Sequence, residues 1–146
     1  MSWGAYITNS LVNKQDANGH VYNNVLVEAA LMGLNGAEWA KTSGLTVSKA
    51  EIDKLNELFK QKGSNNIPSI TLGGKKYQVT HYDGNAAYLK IKDGGATVAK
   101  TKQAYIIGVY NTTKKYKYDG KELPQSVGMC NTAVEELANQ LKGQGY

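Results

Sequence analysis

The run of short alternating segments between residues 69 and 110 constrains the fold of this chain more than any other feature. After Pro68 the pattern changes from a period of 3.6 to a period of 2, with short runs over 69–72, 75–81, 86–92, 97–101 and 104–110. Between these segments stand sequences typical of tight turns: Gly73-Gly74, Asp83-Gly84, Gly94-Gly95 and Lys102-Gln103. Because strands joined by short turns pair as antiparallel neighbours, the sequence predicts an antiparallel meander. Its most apolar segment, 104–110, is predicted to be central.

A further strand pair is predicted upstream of the meander. Residues 25–34 are almost entirely apolar, and 37–42 follow after Asn35-Gly36, a strong hairpin signal. With the meander this makes about seven strands. The polar stretch 13–24 predicts a loop.

Three segments show the three- to four-residue apolar spacing of amphipathic helices. These helices are predicted over 3–11, 49–62 and 127–142. Each follows a serine that can cap it, namely Ser2, Ser48 in a capping box with Glu51, and Ser126. Gly63 and Gly143 are predicted to end the second and third helices. Each face of the sheet needs a helix, so the predicted class is α+β.

Length and composition predict one domain spanning 1–146. A chain of 146 residues with 41% apolar content can build a real core without disulfides. Its single Cys cannot form an internal disulfide, and its N-terminus lacks the basic flank and apolar run of a secretory signal. No apolar segment approaches the ~20 residues needed to cross a bilayer. We therefore expect a soluble cytosolic protein.

The positive charge of the chain is concentrated in its middle. Between Lys54 and Lys121 there are thirteen Lys and four acidic residues, a local net charge of +9 against +5 for the whole chain. All basic residues are Lys, so the bidentate forks that read guanine or phosphate are missing. This pattern favours diffuse attraction to an acidic partner over sequence-specific nucleic-acid binding. The lysines taken singly fit an ordinary solvated face.

Motifs that carry catalysis or bind metals and cofactors are absent. The sequence contains no HExxH, CxxC, GxxxxGK[ST] or GxSxG, and its two His lie in unrelated polar contexts. The sequence predicts a protein that is not an enzyme and has no metal or cofactor. Residues 111–123, rich in Lys and Tyr around Asp119-Gly120, are predicted to form a small exposed hairpin.

Aromatic residues stand close to both chain ends. Trp3 and Tyr6 share one side of the first predicted helix, and Tyr146 follows the last one. These aromatics can be core residues or a binding surface, and both interpretations remain open from the pattern alone. Trp39 fits a cross-strand aromatic that fills the sheet face.

Several motifs occur together in the order found in the profilin family, over nearly the whole chain. They are Ser2-Trp3 with Tyr6, the hairpin 36–40, the stretch 72–77 (LGGKKY), the run 100–110 (KTKQAYIIGVY), and Cys130-Asn131 leading to Gln144-Gly145-Tyr146. The chain thus resembles profilin. The resemblance implies a central antiparallel sheet with the N- and C-terminal helices on one face and a further helix on the other. It also implies a cytoplasmic, cytoskeletal monomer that binds monomeric actin, promotes nucleotide exchange on it, and binds proline-rich proteins such as formins.

The resemblance also implies residues for each ligand. The proline-binding residues fall on Trp3, Tyr6, Trp39, Leu141 and Tyr146. The actin-binding residues fall on Lys76, Gln78, Val79, Thr80, His81, Lys90, Lys92, Gly128, Asn131, Thr132, Glu135 and Glu136. Polyphosphoinositide head groups are expected to be attracted by Lys90, Lys92, Lys114, Lys115 and Lys117.

Several features depart from the family pattern. The segment before Gly94-Gly95 lacks the consecutive basic pair of plant-like members, and Gln140 stands where many animal profilins have His. Thr132 and Glu135 replace more basic or aromatic residues of animal profilins, and the 111–123 insertion is longer than the corresponding loop in most members. The alternatives to a profilin are a sensor or dimerisation module of PAS-like or roadblock-like fold and, third, a nucleic-acid or membrane-surface binder.

Overall fold

The computed structural model describes residues 2–61 and 67–146. In chain order the elements are α1 (Trp3–Tyr6), a π-helical turn (Ile7–Val12), β1 (Lys14–Gln15), β2 (Val21–Asn23), β3 (Glu28–Gly33), β4 (Glu38–Lys41), α2 (Lys49–Phe59), β5 (Ser69–Leu72), β6 (Lys75–Tyr82), β7 (Ala86–Ile91), β8 (Gly94–Lys100), β9 (Ala104–Asn111), β10 (Lys115–Tyr118), β11 (Lys121–Pro124) and α3 (Val127–Gly143).

The main sheet contains the seven predicted strands, all antiparallel, in the order β4-β3-β9-β8-β7-β6-β5. The predicted meander is confirmed, and β9 lies inside the sheet between β3 and β8. The predicted first hairpin is also present, and Gly36 takes a left-handed φ of +91° in its four-residue connection. The α+β class is therefore correct.

The two faces of the sheet are covered as expected. The core on one face unites α1, the π-helical turn and α3 through residues such as Tyr6, Leu11 and Leu137. The core on the other face is closed by Ile52, Leu55 and Leu58 of α2. The three predicted serine caps are present, and Ser48 and Glu51 form the reciprocal capping box. Among the described residues no helix combines the length and apolar character needed to span a membrane.

Some predicted helix ends were wrong. The first helix is α-helical only to Tyr6 and continues as a π-helical turn. In the last helix the left-handed glycine is Gly145, with φ +92°, whereas Gly143 is still helical. The second helix ends at Phe59. The predicted stop at Gly63 lies outside the described residues.

The turn predicted at Gly94-Gly95 was also wrong. Both glycines lie in β8, and the chain reverses one step earlier, where Asp93 has φ +61°. A Cβ at Gly94 would lie 2.4 Å from the Tyr110 carbonyl oxygen, and one at Gly95 would lie 2.3 Å from that of Leu89. These glycines permit close backbone approach between strands.

The loop predicted over 13–24 is instead part of a second sheet. This side sheet has the order β1-β2-β10-β11, so the predicted 111–123 hairpin is formed and its first strand pairs with β2. Tyr118 stacks on Tyr22 at a centroid separation of 4.4 Å and an interplanar angle of 10°. The polar segment thus contains two short strands that pair with each other, and the distant strand β10 extends this pairing.

Candidate functional site: an aromatic cluster and a basic face joined by the last helix

The four aromatics predicted for proline-rich ligands lie together, although they come from three separate parts of the chain. Trp3 is at the centre of the cluster, 4.6 Å from Trp39, 4.9 Å from Tyr146 and 5.7 Å from Tyr6 between ring centroids. Tyr146 also stands edge-on to Trp39, at 6.3 Å. Trp3 and Trp39 are half-buried and Tyr146 is 36% exposed, so the cluster presents aromatic surface to solvent.

Contacts around the cluster hold its members in place. The Tyr6 hydroxyl donates to Gln144 Oε1 at 3.2 Å, and Tyr6 is itself buried. The Tyr146 amide donates to the Leu141 carbonyl at 2.9 Å, and the Gln103 amide donates to the Tyr146 carbonyl at 2.7 Å. Leu141 has no exposed surface and belongs to the core against which Trp3 and Trp39 pack, so it offers no surface to a ligand.

Sequence reasoning missed Gln144 and Gln103. Neither residue type marks an aromatic site on its own. The only signal was their position, Gln144 between the last helix and Tyr146 and Gln103 in the turn before β9.

The basic residues predicted for actin lie on the sheet face that α3 also covers. Gln78 pairs with Lys90 across β6 and β7, and a depression of about 380 Å³ is lined by Lys76, Gln78, Lys90, Ile91, Lys92 and Asp93. All three lysines are exposed. His81 pairs with Tyr88 further along the two strands, and their rings stack at 5.2 Å.

Two hydrogen bonds fasten α3 to this face. The Tyr88 hydroxyl donates to Glu135 Oε1 at 2.5 Å, and the Thr97 hydroxyl donates to Asn131 Oδ1 at 2.5 Å. The bond to Glu135, together with partial burial, raises the pKa of Tyr88 to about 12. Tyr88 and Thr97 were not among the predicted residues. Period-2 alternation puts Tyr88 on the same face as Lys90, but only the structure reveals its contact with α3.

Not every predicted actin residue lies on this face. Val79 packs into the core on the α2 side of the sheet, and the register shifts between Val79 and His81. Glu136 points to the other flank of α3, where its carboxylate accepts from the buried Lys14 ammonium at 3.0 Å. Gly128 and Thr132 are exposed on α3, and the Thr80 hydroxyl donates to the Tyr88 carbonyl.

The lysines of the hairpin are exposed beside this face. Lys114, Lys115 and Lys117 project from the start of the hairpin, and Lys117 lies 3.9 Å from Glu122. The base of the hairpin touches the β7–β8 turn, where the Thr112 amide donates to the Asp93 carbonyl at 2.8 Å.

Cys130 lies under the same end of α3. It has no exposed surface, and its Sγ donates to the Gly108 carbonyl at 3.4 Å. Burial raises the pKa of this thiol to about 12, so it stays protonated and unreactive in the folded protein. The described part of the chain holds no group of three or more His, Cys, Asp or Glu placed to bind a metal.

Comparisons with known proteins agree with this architecture. The family model for profilin matches residues 1–146. Profilin IB of Acanthamoeba castellanii is 28% identical with a TM-score of 0.78, and the match covers 99% of this chain and all of the other. Profilin of Schizosaccharomyces pombe is 27% identical with a TM-score of 0.76 and the same coverage. The structure of LokiProfilin1 in complex with rabbit actin shares the fold at 19% identity and a TM-score of 0.59, covering 82% of this chain and 84% of that one.

The family model and the structural matches agree with the arrangement of sheet and terminal helices described above. They favour a profilin over a PAS-like or roadblock-like module. The chain belongs to the profilin family.

Proposed function

We propose that this protein binds monomeric actin through its basic face and proline-rich ligands through its aromatic cluster. The observation that carries the proposal is that α3 contacts the basic face and also leads into the aromatic cluster. Its first half faces Tyr88 and Thr97 of the basic face, and its end leads into Tyr146 of the cluster.

Support for the actin partner comes from the family and from the charge of the face. LokiProfilin1, which has the same fold, was solved bound to actin. In this chain Lys76, Lys90 and Lys92 surround a shallow depression, and Asp93 is the acidic residue in its lining. An acidic surface on the partner would be steered toward such a face, chiefly by raising the association rate.

Support for proline-rich ligands comes from the geometry of the cluster. A polyproline II segment is already extended, so it loses little entropy when it binds. Its rings pack flat on aromatic faces, and indole N–H and tyrosine O–H groups donate to its free carbonyls. The rings of Trp3, Trp39 and Tyr146 provide such a surface at the end of α3.

The two ligands can be bound at once. The 17 residues of α3 extend over about 25 Å at 1.5 Å per residue. This length separates a proline-rich segment at one end from actin at the other. We infer an adapter that brings actin to proline-rich proteins such as formins in the cytoplasm, acting as a monomer.

Two further activities follow from the proposal. Faster nucleotide exchange on bound actin would come from a shift among actin's own conformations, because the proposal assigns no catalytic residue to this chain. Polyphosphoinositide head groups would be attracted to Lys90 and Lys92, with the hairpin lysines Lys114, Lys115 and Lys117 adding to the field. Charge reversal at Lys90 and Lys92 should then weaken binding to vesicles that contain polyphosphoinositide at low salt, and unchanged binding would refute this assignment.

The actin proposal is tested by the association kinetics of the intact protein with monomeric actin. Lys90→Glu should lower the association rate several-fold at low salt, about threefold to tenfold, and the difference should shrink as salt rises. Lys60→Glu is the matched control, because Lys60 is exposed at the end of α2, on the opposite side of the sheet. Equal rates for the two variants would contradict the assigned face.

The proposed binding of proline-rich ligands is tested separately, by titration with a proline-rich peptide while Trp fluorescence is followed. The emission of Trp3 and Trp39 should change on binding, since both rings lie in the proposed contact. If the protein binds the peptide but does not bind actin at micromolar concentration, the proposal of proline-rich ligands stands and the proposal of actin binding is refuted.

A further inference from the structure

The 111–123 insertion is a hairpin that is held against the rest of the fold by strand pairing and side-chain contacts. Its first strand, β10, pairs with β11 on one side and with β2 on the other. Tyr118 stacks on Tyr22, and the Asn24 side-chain amide donates to the Lys115 carbonyl at 2.8 Å. The direction in which the hairpin projects is therefore set by the rest of the fold.

Gln125 holds the base of the hairpin. This buried side chain accepts from the Asn111 amide at 3.0 Å and donates to the Asn24 carbonyl at 2.7 Å. Its own backbone amide donates to the Lys114 carbonyl at 2.8 Å. One residue thus joins the start of the hairpin, its end and the side sheet.

The base of the hairpin is continuous with the basic face. A groove of about 410 Å³ joins them and is lined by Lys90, Asp93, Gly94, Tyr110, Thr112, Gln125, Ser126 and Val127. Val127 is 49% exposed at the first turn of α3, where it forms part of the groove lining. Lys114 and Lys115 are exposed next to Thr112 and make no ion pair with any other described residue.

We propose that the hairpin extends the actin-binding face, an inference that rests on the proposed function. Val127 supplies an apolar contact in the groove, and Lys114 and Lys115 supply a charged rim that attracts the same acidic partner as Lys90. An apolar centre with a polar, charged rim is the usual anatomy of a protein interface. Because the hairpin is already ordered, binding requires no further ordering of this segment.

The test measures association and dissociation rates of the intact chain and its variants with monomeric actin. Lys114→Glu/Lys115→Glu should lower the association rate about threefold to tenfold at low salt, and Val127→Ser should raise the dissociation rate by a similar factor. The matched controls are Lys54→Glu/Lys60→Glu on α2 and Val21→Ser, because Val21 is 51% exposed in β2 and lies outside the groove. These controls should behave like the unchanged protein.

The outcomes separate this inference from the proposed function. If Lys90→Glu weakens binding but the hairpin and Val127 variants match their controls, the hairpin is not part of the face and the proposed function stands. Replacing 115–122 by a two-residue turn and obtaining tighter binding would likewise overturn the inference, since the hairpin would then hinder actin. Failure of the unchanged protein to bind actin would overturn both.

Discussion

The indole rings of Trp3 and Trp39 lie 4.6 Å apart and are inclined by 33°, although one residue begins α1 and the other lies in β4. Tyr146 closes the group from the end of α3. A surface assembled from both ends of the chain and an edge strand exists only in the folded state. The proposed affinity of this surface for proline-rich ligands should therefore depend on the packing of α1 against α3 as well as on the rings themselves.

Truncating Trp39 should weaken proline-peptide binding. Trp39→Ala removes one of the two indoles that face solvent, and an interface aromatic of this kind is worth about 1–3 kcal/mol. Isothermal titration with a proline-rich peptide measures the loss. Trp39→Phe, which keeps an aromatic face, should lose less, and actin binding by both variants should be unaffected. Equal affinity of Trp39→Ala and the unchanged protein would exclude the ring from the site.

Removing the Tyr88 hydroxyl should loosen α3 from the sheet. Tyr88→Phe deletes the hydrogen bond to Glu135, and we expect a loss of about 1 kcal/mol in the free energy of unfolding. Urea unfolding near neutral pH gives the value. Tyr116→Phe is the control, because the Tyr116 hydroxyl makes no hydrogen bond to any other described residue. A Tyr88→Phe variant as stable as the control would show that the bond contributes nothing.

The same hydroxyl predicts a pH dependence. Its pKa is raised from 10 to about 12 in the folded protein, so the bond stabilises fully below pH 10. That stability is lost as the pH rises through the folded value. The difference in unfolding free energy between the unchanged protein and Tyr88→Phe should therefore be constant at neutral pH and shrink on the alkaline side. A stability difference that grows with rising pH would contradict a raised pKa of Tyr88 in the folded protein.

Gly108 should not tolerate a side chain. A Cβ there would lie 2.6 Å from Val134 Cγ2 and 2.8 Å from Leu26 Cδ1, both in the core under α3. Gly108→Ala should destabilise the protein by about 1–3 kcal/mol through overpacking. Gly128→Ala is the contrast: its Cβ meets no atom closer than 4.0 Å, and alanine favours the helix. Thermal unfolding of the two variants should shift in opposite directions.

Asp16 should order the turn before β2. Its Oδ1 accepts from the Asn18 and His20 amides at 2.9 and 3.0 Å. Partial desolvation works against the charge, but these amide bonds and His20 outweigh it and hold the pKa of the carboxyl below its ordinary value. Asp16→Asn should therefore speed hydrogen exchange at these amides at neutral pH.

The sign of this effect follows from the lowered pKa. The carboxylate stabilises the folded turn above the ordinary Asp value of about 4, and this contribution is lost as the pH falls through the folded pKa. In acid, the unchanged protein and Asp16→Asn should become equally stable. A stability difference that persists below both pKa values would show that the charge is not responsible.

Cys130 should be protected from thiol reagents until the protein opens. Its sulfur is fully buried, and burial raises its pKa to about 12. Modification by a disulfide reagent should be limited by opening of α3 in the native protein and become fast in denaturant. Gly108→Ala, which disturbs the contact beneath this thiol, should react faster. Rapid stoichiometric labelling of the unchanged protein would contradict the packing described here.

Local signals in the sequence determined the elements whose stabilising contacts are themselves local. Ser2, Ser48 and Ser126 each cap a helix by accepting an amide three residues further on, so neighbouring residues suffice to specify them. The meander was equally readable, because side-chain alternation and short turns set strand pairing without reference to the rest of the chain. The family motifs placed the four aromatics in one site, and the structure brings them together.

Tertiary structure decided what depends on distant partners. The polar segment 13–24 has no strand pattern, yet β2 pairs with the neighbouring β1 and with the distant β10, and Tyr118 covers Tyr22. Gly94 and Gly95 resemble a turn, yet they are needed where backbones approach closely within the sheet. Val79 packs on the α2 side beside Tyr77, and Glu136 pairs with Lys14 on the other flank of α3, so two predicted actin residues lie off the basic face. The register shift after Val79 places His81 opposite Tyr88. A side chain's face is fixed by pairing and packing across the fold, and the order of residues alone does not contain it.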